Sequence, residues 1–260
     1  MLVVHVPLEE TVRGAVLPLL TFKAEYVAML VAVLGTTISP YLFFWQASQE
    51  VEEQRATPGH EPLREAPEQA RLHLRRIRID TYIGMIFSNL IAFCIMLTTA
   101  VTLHAAGVTD IQSSAQAAEA LRPLAGDFAF LLFAAGIIGT GLLAVPVLGG
   151  SAAYAVAEGF RWPIGLGLRL AEARGFYFIL TAATLLGVGI DLSGVDSIKM
   201  LLWAAIVNGV ISVPIMAVTM LLAVRPAVMG SFVIRRRLRV LGWFATGVMA
   251  AAVVTMFVLL

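Results

Sequence analysis

The chain has 260 residues, of which 59% are hydrophobic and only 13% charged, with a mean hydropathy of +0.88. That composition excludes an ordinary soluble domain. It predicts an all-α polytopic membrane protein, because only helices of about 20 apolar residues or closed barrels satisfy backbone groups in hydrocarbon. The net charge of +1 says little, because the placement of charge matters more than its sum, and the single cysteine, Cys94, inside an apolar run, cannot form an intrachain disulfide.

Six spans are predicted in chain order: Tyr26–Ala47, Tyr82–Leu103, Phe128–Leu148, Leu170–Ile190, Ile198–Val224 and Leu241–Leu260. Residues 1–23 form an outer segment, and "MLVVHVPLEE" lacks the basic n-region of a cleaved signal. Residues 24–50 make a broken transmembrane helix. Residues 51–80, opening with "VEEQRATPGHEPLREAPEQA" and its three prolines, are expected to be a cytoplasmic linker, and residues 81–260 carry five further helices. The fourth span is short. Its apolar core "FYFILTAATLLGVGI" must borrow from "LRLAEARG" to cross.

Basic residues sort unevenly among the loops. Arg13, Lys23, Arg122 and Lys199 fall on one side, and the remaining fourteen of the 18 fall on the other, which is therefore the cytoplasmic side. "RLHLRRIRID" is part of that flank and could also grip anionic lipid or nucleic acid, but no aromatic interleaving or nucleic-acid motif accompanies it, so no nucleic-acid partner is expected. Both termini then lie outside. An apolar opening with no preceding span suggests the later part of a longer protein.

The first span contains "GTTISPYLFFWQ" at 35–46. Pro40 removes a backbone donor and clashes with the preceding turn, and Gly35 weakens the helix before it. Carbonyls of Gly35 and Thr36 are expected to be freed. Such backbone is tolerated at membrane depth only where protein or a wet cavity satisfies it. Broken helices of this kind form substrate sites in many secondary transporters. Thr36, Thr37 and Ser39 add hydroxyls, hard donors suited to Mg²⁺, Ca²⁺ or Mn²⁺. The plain alternative is a proline kink with hydroxyls bonded back to the previous turn.

Other polar groups are weighed the same way. Asn208, near Gly209 and Pro214 in the fifth span, either lines an ion path or bonds a neighbouring helix; Asn89 is expected to serve helix–helix packing. Gln46 faces a vestibule or the surface, Trp45 packs or seeks the interface, and Asp80 is expected to cap the second span. The small residues of "GIIGTGLLAVPVLGGSAAY" allow close packing or a hinge. His5, His60, His73 and His104 share no metal-ligand spacing. No Walker motif, nucleophile elbow or redox pair is present, so the chain is not expected to be an enzyme.

"GTTISPYLFFWQASQEVEE", "GIIGTGLLAVPVLGGSAAYAVAEGF" and "IVNGVISVPIMAV" resemble the NRAMP-type metal-ion transporters, and most closely the NRAMP-related branch that includes magnesium transporters. The resemblance implies a LeuT-like inverted-repeat fold with the first repeat largely missing. It implies secondary transport of divalent cations, Mg²⁺ or Mn²⁺ favoured, by alternating access in a bacterial inner membrane. The family's Ala-x-x-Met-Pro-His motif falls on Thr36 to Tyr41. By resemblance the Thr36 carbonyl and the Ser39 side chain face the ion, Gly35 belongs to the same metal-binding break, and Thr37, Pro40, Tyr41, Gln46 and Asn208 line the site.

Three departures follow. Ser39 replaces the methionine whose thioether favours transition metals. Tyr41 replaces a histidine tied to proton coupling, and a phenol ionises too high to substitute. The family's acidic Asp-Pro-Gly motif has no counterpart here, so a missing N-terminal half is expected to supply the carboxylate and complete the charge. The competing reading is a non-transporting membrane assembly or sensor module in which "GTTISP" is only a kink.

Overall fold

The computed structural model describes residues 23–59, 61–101, 107, 111 and 113–260, with backbone alone for 117–127 and 129. Among the described residues it is all-α, without strands. The helices are α1 (Ala24–Ile38), α2 (Pro40–Ala56), α3 (Ala70–Thr99), α4 (Ser114–Gly159), α5 (Arg174–Leu192), α6 (Ser197–Ala223), α7 (Pro226–Met229) and α8 (Arg236–Leu259). Among the described residues six stretches are long and apolar enough to cross a membrane: Ala24–Ala56, Ala70–Thr99, Phe130–Gly159, Arg174–Leu192, Ser197–Ala223 and Arg236–Leu259. The protein is a multi-pass membrane protein. Its exposed large apolar side chains, such as Ile86, Phe87, Leu142 and Leu186, are what a helix facing lipid presents.

The helices run further into polar sequence than hydropathy alone indicates. α2 continues to Ala56 and α3 begins at Ala70, so residues 57–59 and 61–69 are the described non-helical part of the polar stretch. Asp80 therefore lies inside α3 and caps nothing; its carboxylate sits 3.8 Å from Arg76 one turn earlier. The fourth span starts later than predicted. Glu172 accepts the Arg169 N–H at 2.8 Å, and the Arg169 carbonyl accepts from Glu172 at 2.9 Å and Ala173 at 3.1 Å. That tight turn holds "LRLAEA" out of the helix, yet the remaining 19 residues of α5 still reach about 28 Å.

The chain divides into two compact units. The first contains 75–143 and 196–200. Here Asn89 donates to the Met85 carbonyl of its own helix at 2.8 Å and is exposed, rather than packed on another helix, among the described residues. Asp196 caps α6 by accepting from the Ile198 and Lys199 N–H groups at 3.0 and 3.1 Å. The Lys199 ammonium lies 3.3 Å away. These donors, the Lys199 N–H first, hold the Asp196 carboxyl below its ordinary value, against a smaller opposing push from desolvation.

The second unit contains 23–74, 144–195 and 201–260, and it has two cores. One joins α1 and α8 through Val27, Val31, Met249, Val253 and Met256, with Ile206, Val210 and Val213 of α6 packed against them. The other joins α2, the end of α4 and α5 through Trp45, Ala153, Tyr154, Ala157 and Phe176. The two halves of the first span are thus buried against different neighbours, and the chain between them is a single residue.

Candidate metal-ion site at the helix break

Ser39 is that residue. Its φ of 45° and ψ of 70° lie in the left-handed region, which costs a non-glycine residue roughly 1–2 kcal/mol. Pro40 explains why the cost is met: a residue before proline is pushed out of the right-handed helical region, and proline is well suited to open the next helix. The Ser39 N–H still donates to Gly35 at 3.0 Å, and Leu42 donates to Ser39 at 2.9 Å. The Thr37 and Ile38 carbonyls are among the last four of α1, the set that a helix leaves without intrahelical N–H partners. These two oxygens terminate α1, where the helix dipole is negative.

The expectation of freed Gly35 and Thr36 carbonyls is therefore shifted along the chain. Gly35 keeps its helical partner, because the turn closes before the break. The Thr36 carbonyl loses the N–H that proline lacks and instead accepts the Ser39 hydroxyl. The Thr36 hydroxyl donates to Ala32 at 2.9 Å or Val33 at 3.0 Å, and Thr37 to Val33 at 2.8 Å. Each hydroxyl oxygen retains lone pairs after donating. Ser39 and Pro40 are buried and Tyr41 is half-buried, whereas Thr36, Thr37 and Gln46 are exposed.

The approach to the break is fixed by two glycines. A Cβ on Gly35 would lie 2.7 Å from the Gly209 Cα and closer still to the Gly209 nitrogen and Ala205 carbonyl. One on Gly209 would lie 2.6 Å from Val31 Cγ1 and 2.7 Å from the Val31 carbonyl. Only bare backbone lets α1 and α6 cross this closely. Asn208, next to the crossing, is half-buried. One turn on, the buried Ser212 hydroxyl donates to the Gly209 carbonyl at 2.7 Å, and Pro214 lies within α6.

On the other side of Ser39, α2 is held by a polar clasp. The Tyr154 hydroxyl donates to the Glu52 carboxylate and accepts from the Gln49 amide at 3.1 Å and the Leu166 N–H at 3.3 Å. Gly165 makes that last bond possible, since its φ of +142° suits glycine alone and a Cβ would press on Glu52. Trp45 lies edge-on to Tyr154 with ring centroids 5.8 Å apart, and it packs on the bare backbone of Gly150. Trp45 is thus a packing residue. An open cavity of about 690 Å³ runs beside α2 from Phe43 to Arg55, reaching Tyr154, Glu158 and Pro214.

Sequence reasoning did not identify the Glu52–Tyr154 clasp, whose partners are 102 residues apart. It also missed the Gly35–Gly209 contact. A signal for the latter was present, since "GTTISP" and "GVISVP" both set proline five residues after the contacting glycine. Of the four histidines, His73 is described; His5, His60 and His104 lie outside the described residues, as does nearly all of the outer segment. Among the described residues no group of three or more His, Cys, Asp or Glu side chains comes together to hold a metal. The break offers oxygens without acids.

Over residues 1–259 the sequence matches the family model described as natural resistance-associated macrophage protein-like, Nramp. The chain belongs to the Nramp family. Two curated Nramp relatives are each called a divalent metal cation transporter MntH. The one from Aeromonas hydrophila is 27% identical over 181 residues, 68% of this chain and 40% of its own length. The one from Deinococcus radiodurans is 27% identical over 218 residues, 83% of this chain and 45% of its own length. The chain therefore spans less than half the length of these relatives.

Proposed function

We propose that this Nramp chain forms part of a divalent-cation transport pathway, with the break at Ser39 as its share of the ion site. The observation that carries the reading is that α1 ends at the left-handed Ser39 inside a membrane span, which puts the Thr37 and Ile38 carbonyls among the last four of a helix, the set without intrahelical N–H partners. Peptide oxygens in that state call for a partner, and at the negative end of α1 a cation is the complementary one. The Thr36 carbonyl and Ser39 hydroxyl add two more oxygens. With Tyr41 and Asn208 flanking, the set is hard and neutral, which favours Mg²⁺ or Mn²⁺ over thiophilic metals.

Two positive charges require compensation, and oxygens of carbonyls and hydroxyls alone leave them poorly balanced. A carboxylate from a polypeptide segment outside these 260 residues completes the site in this reading, within a LeuT-like inverted-repeat fold in a bacterial inner membrane. Alternating access then has a structural basis. α1 is packed with α6 and α8, α2 with α4 and α5, and Ser39 is the joint between them. A half-buried phenol at Tyr41 argues against a proton relay at this position.

The kink-only reading draws on one observation: Thr36, Thr37 and Ser39 all donate back to their own helix. One experiment separates the two. The assembly isolated from native membranes through a tag on this chain is reconstituted in liposomes and loaded with external Mn²⁺. Saturable uptake that falls at least about tenfold with Ser39→Ala supports the ion site. Uptake no faster than in protein-free vesicles, or unaffected by the substitution, removes it.

A further inference from the structure

Basic residues in membrane-protein loops serve two purposes with different geometric demands. Topology needs only that they lie on one side; a lipid site needs them aimed into a cavity. At the start of α8 they line one. Arg236, Arg239 and Trp243 enclose, with Val224, Val233 and Ile234, an open cavity of about 690 Å³. The two arginines are three residues apart, hence on one helical face. Neither forms an ion pair among the described residues.

The local charge is also uncompensated. Arg235, Arg236, Arg237 and Arg239 gather in the first turn, which has no acidic residue and no side-chain cap. Positive charge there opposes the helix dipole as well as itself. An anion in the cavity relieves both. A small anion would engage the guanidinium groups and leave the valine, isoleucine and tryptophan walls without purpose. A phospholipid uses the whole cavity: phosphate against the guanidinium forks, glycerol beside Trp243, whose ring type favours the head-group level, and acyl chains along the apolar walls.

We propose that this cavity holds the head group of an anionic phospholipid. The inference stands apart from the metal site. It is tested with the full chain purified in detergent and titrated with phosphatidylglycerol or phosphatidylcholine, bound lipid being counted by native mass spectrometry. The expected preference for phosphatidylglycerol is on the order of tenfold, from about 1 kcal/mol per arginine near the surface. The pair Arg236→Gln and Arg239→Gln abolishes it, and the pair Arg236→Lys and Arg239→Lys keeps most of it. Arg161→Gln with Arg174→Gln, exposed arginines outside the cavity, leaves it intact. Equal retention of the two lipids by the wild type overturns the proposal. So does a preference that survives the glutamine pair, or one that the Arg161 and Arg174 pair removes equally. Displacement of the lipid by millimolar inorganic phosphate overturns it too, by revealing a simple anion site.

Discussion

Replacing Gly35 by alanine places a methyl group 2.7 Å from the Gly209 Cα and nearer still to two other backbone atoms of α6. Ordinary carbon contacts are about 3.5–4.0 Å, so the helices must part by roughly 1 Å. Neither side can yield by rotating a side chain, because the obstacles are peptide atoms. Overpacking of this kind costs about 1–3 kcal/mol, set against a gain of up to about 1 kcal/mol from better helix propensity. A net loss of about 1–2 kcal/mol lowers Tm by roughly 2–8 °C for a chain of this size, measured by circular dichroism in detergent. Gly209→Ala meets Val31 from the other side at 2.6 Å and behaves alike. The double variant loses less than the sum, since one parting of the helices serves both methyl groups. Gly139→Ala, in open space, provides the contrast and leaves Tm unchanged or slightly raised. A Gly35→Ala chain as stable as the wild type would refute the close crossing of α1 and α6.

Two further outcomes are expected. Tyr154→Phe strips the Glu52 carboxylate of its phenol partner and frees the Gln49 amide, costing about 1–3 kcal/mol; thermal unfolding checks it, and an unchanged Tm would mean that the clasp does not hold α2. Asp196→Asn removes a carboxylate whose folded value is depressed, chiefly by the Lys199 N–H. Its contribution is therefore present above the ordinary value of 3.8 and is lost as pH falls through the lower folded value. The Tm gap between wild type and Asp196→Asn should shrink over that acidic window, and a gap constant with pH would contradict the capping role.

The spans were legible because length and hydropathy are properties of contiguous residues. The break was legible for the same reason: Pro40 acts on its own chain neighbours, whatever surrounds them. What escaped was set by tertiary placement. The local pattern put freed carbonyls at Gly35 and Thr36, but Ser39 takes a left-handed conformation that completes the Gly35 turn, and its hydroxyl covers the Thr36 carbonyl. The later start of α5 depends on a turn around Glu172 that periodicity does not encode. Glu52 reads as one more charge in a polar stretch until the fold brings Tyr154 to it. The separate anchoring of α1 and α2 belongs to two cores whose members lie far apart in the sequence.

The most direct measurement of the ion site compares Ser39→Met with Ser39→Gly in the reconstituted assembly, scoring uptake of Cd²⁺ against Mg²⁺. Glycine suits the left-handed backbone better than serine does, so Ser39→Gly keeps the break while deleting the hydroxyl, and uptake of Mg²⁺ should fall without a gain for Cd²⁺. Methionine supplies a soft sulfur at the same point, and the Cd²⁺ to Mg²⁺ ratio should rise on the order of tenfold. If both variants move the two ions in the wild-type ratio and at the wild-type rate, no cation passes beside Ser39.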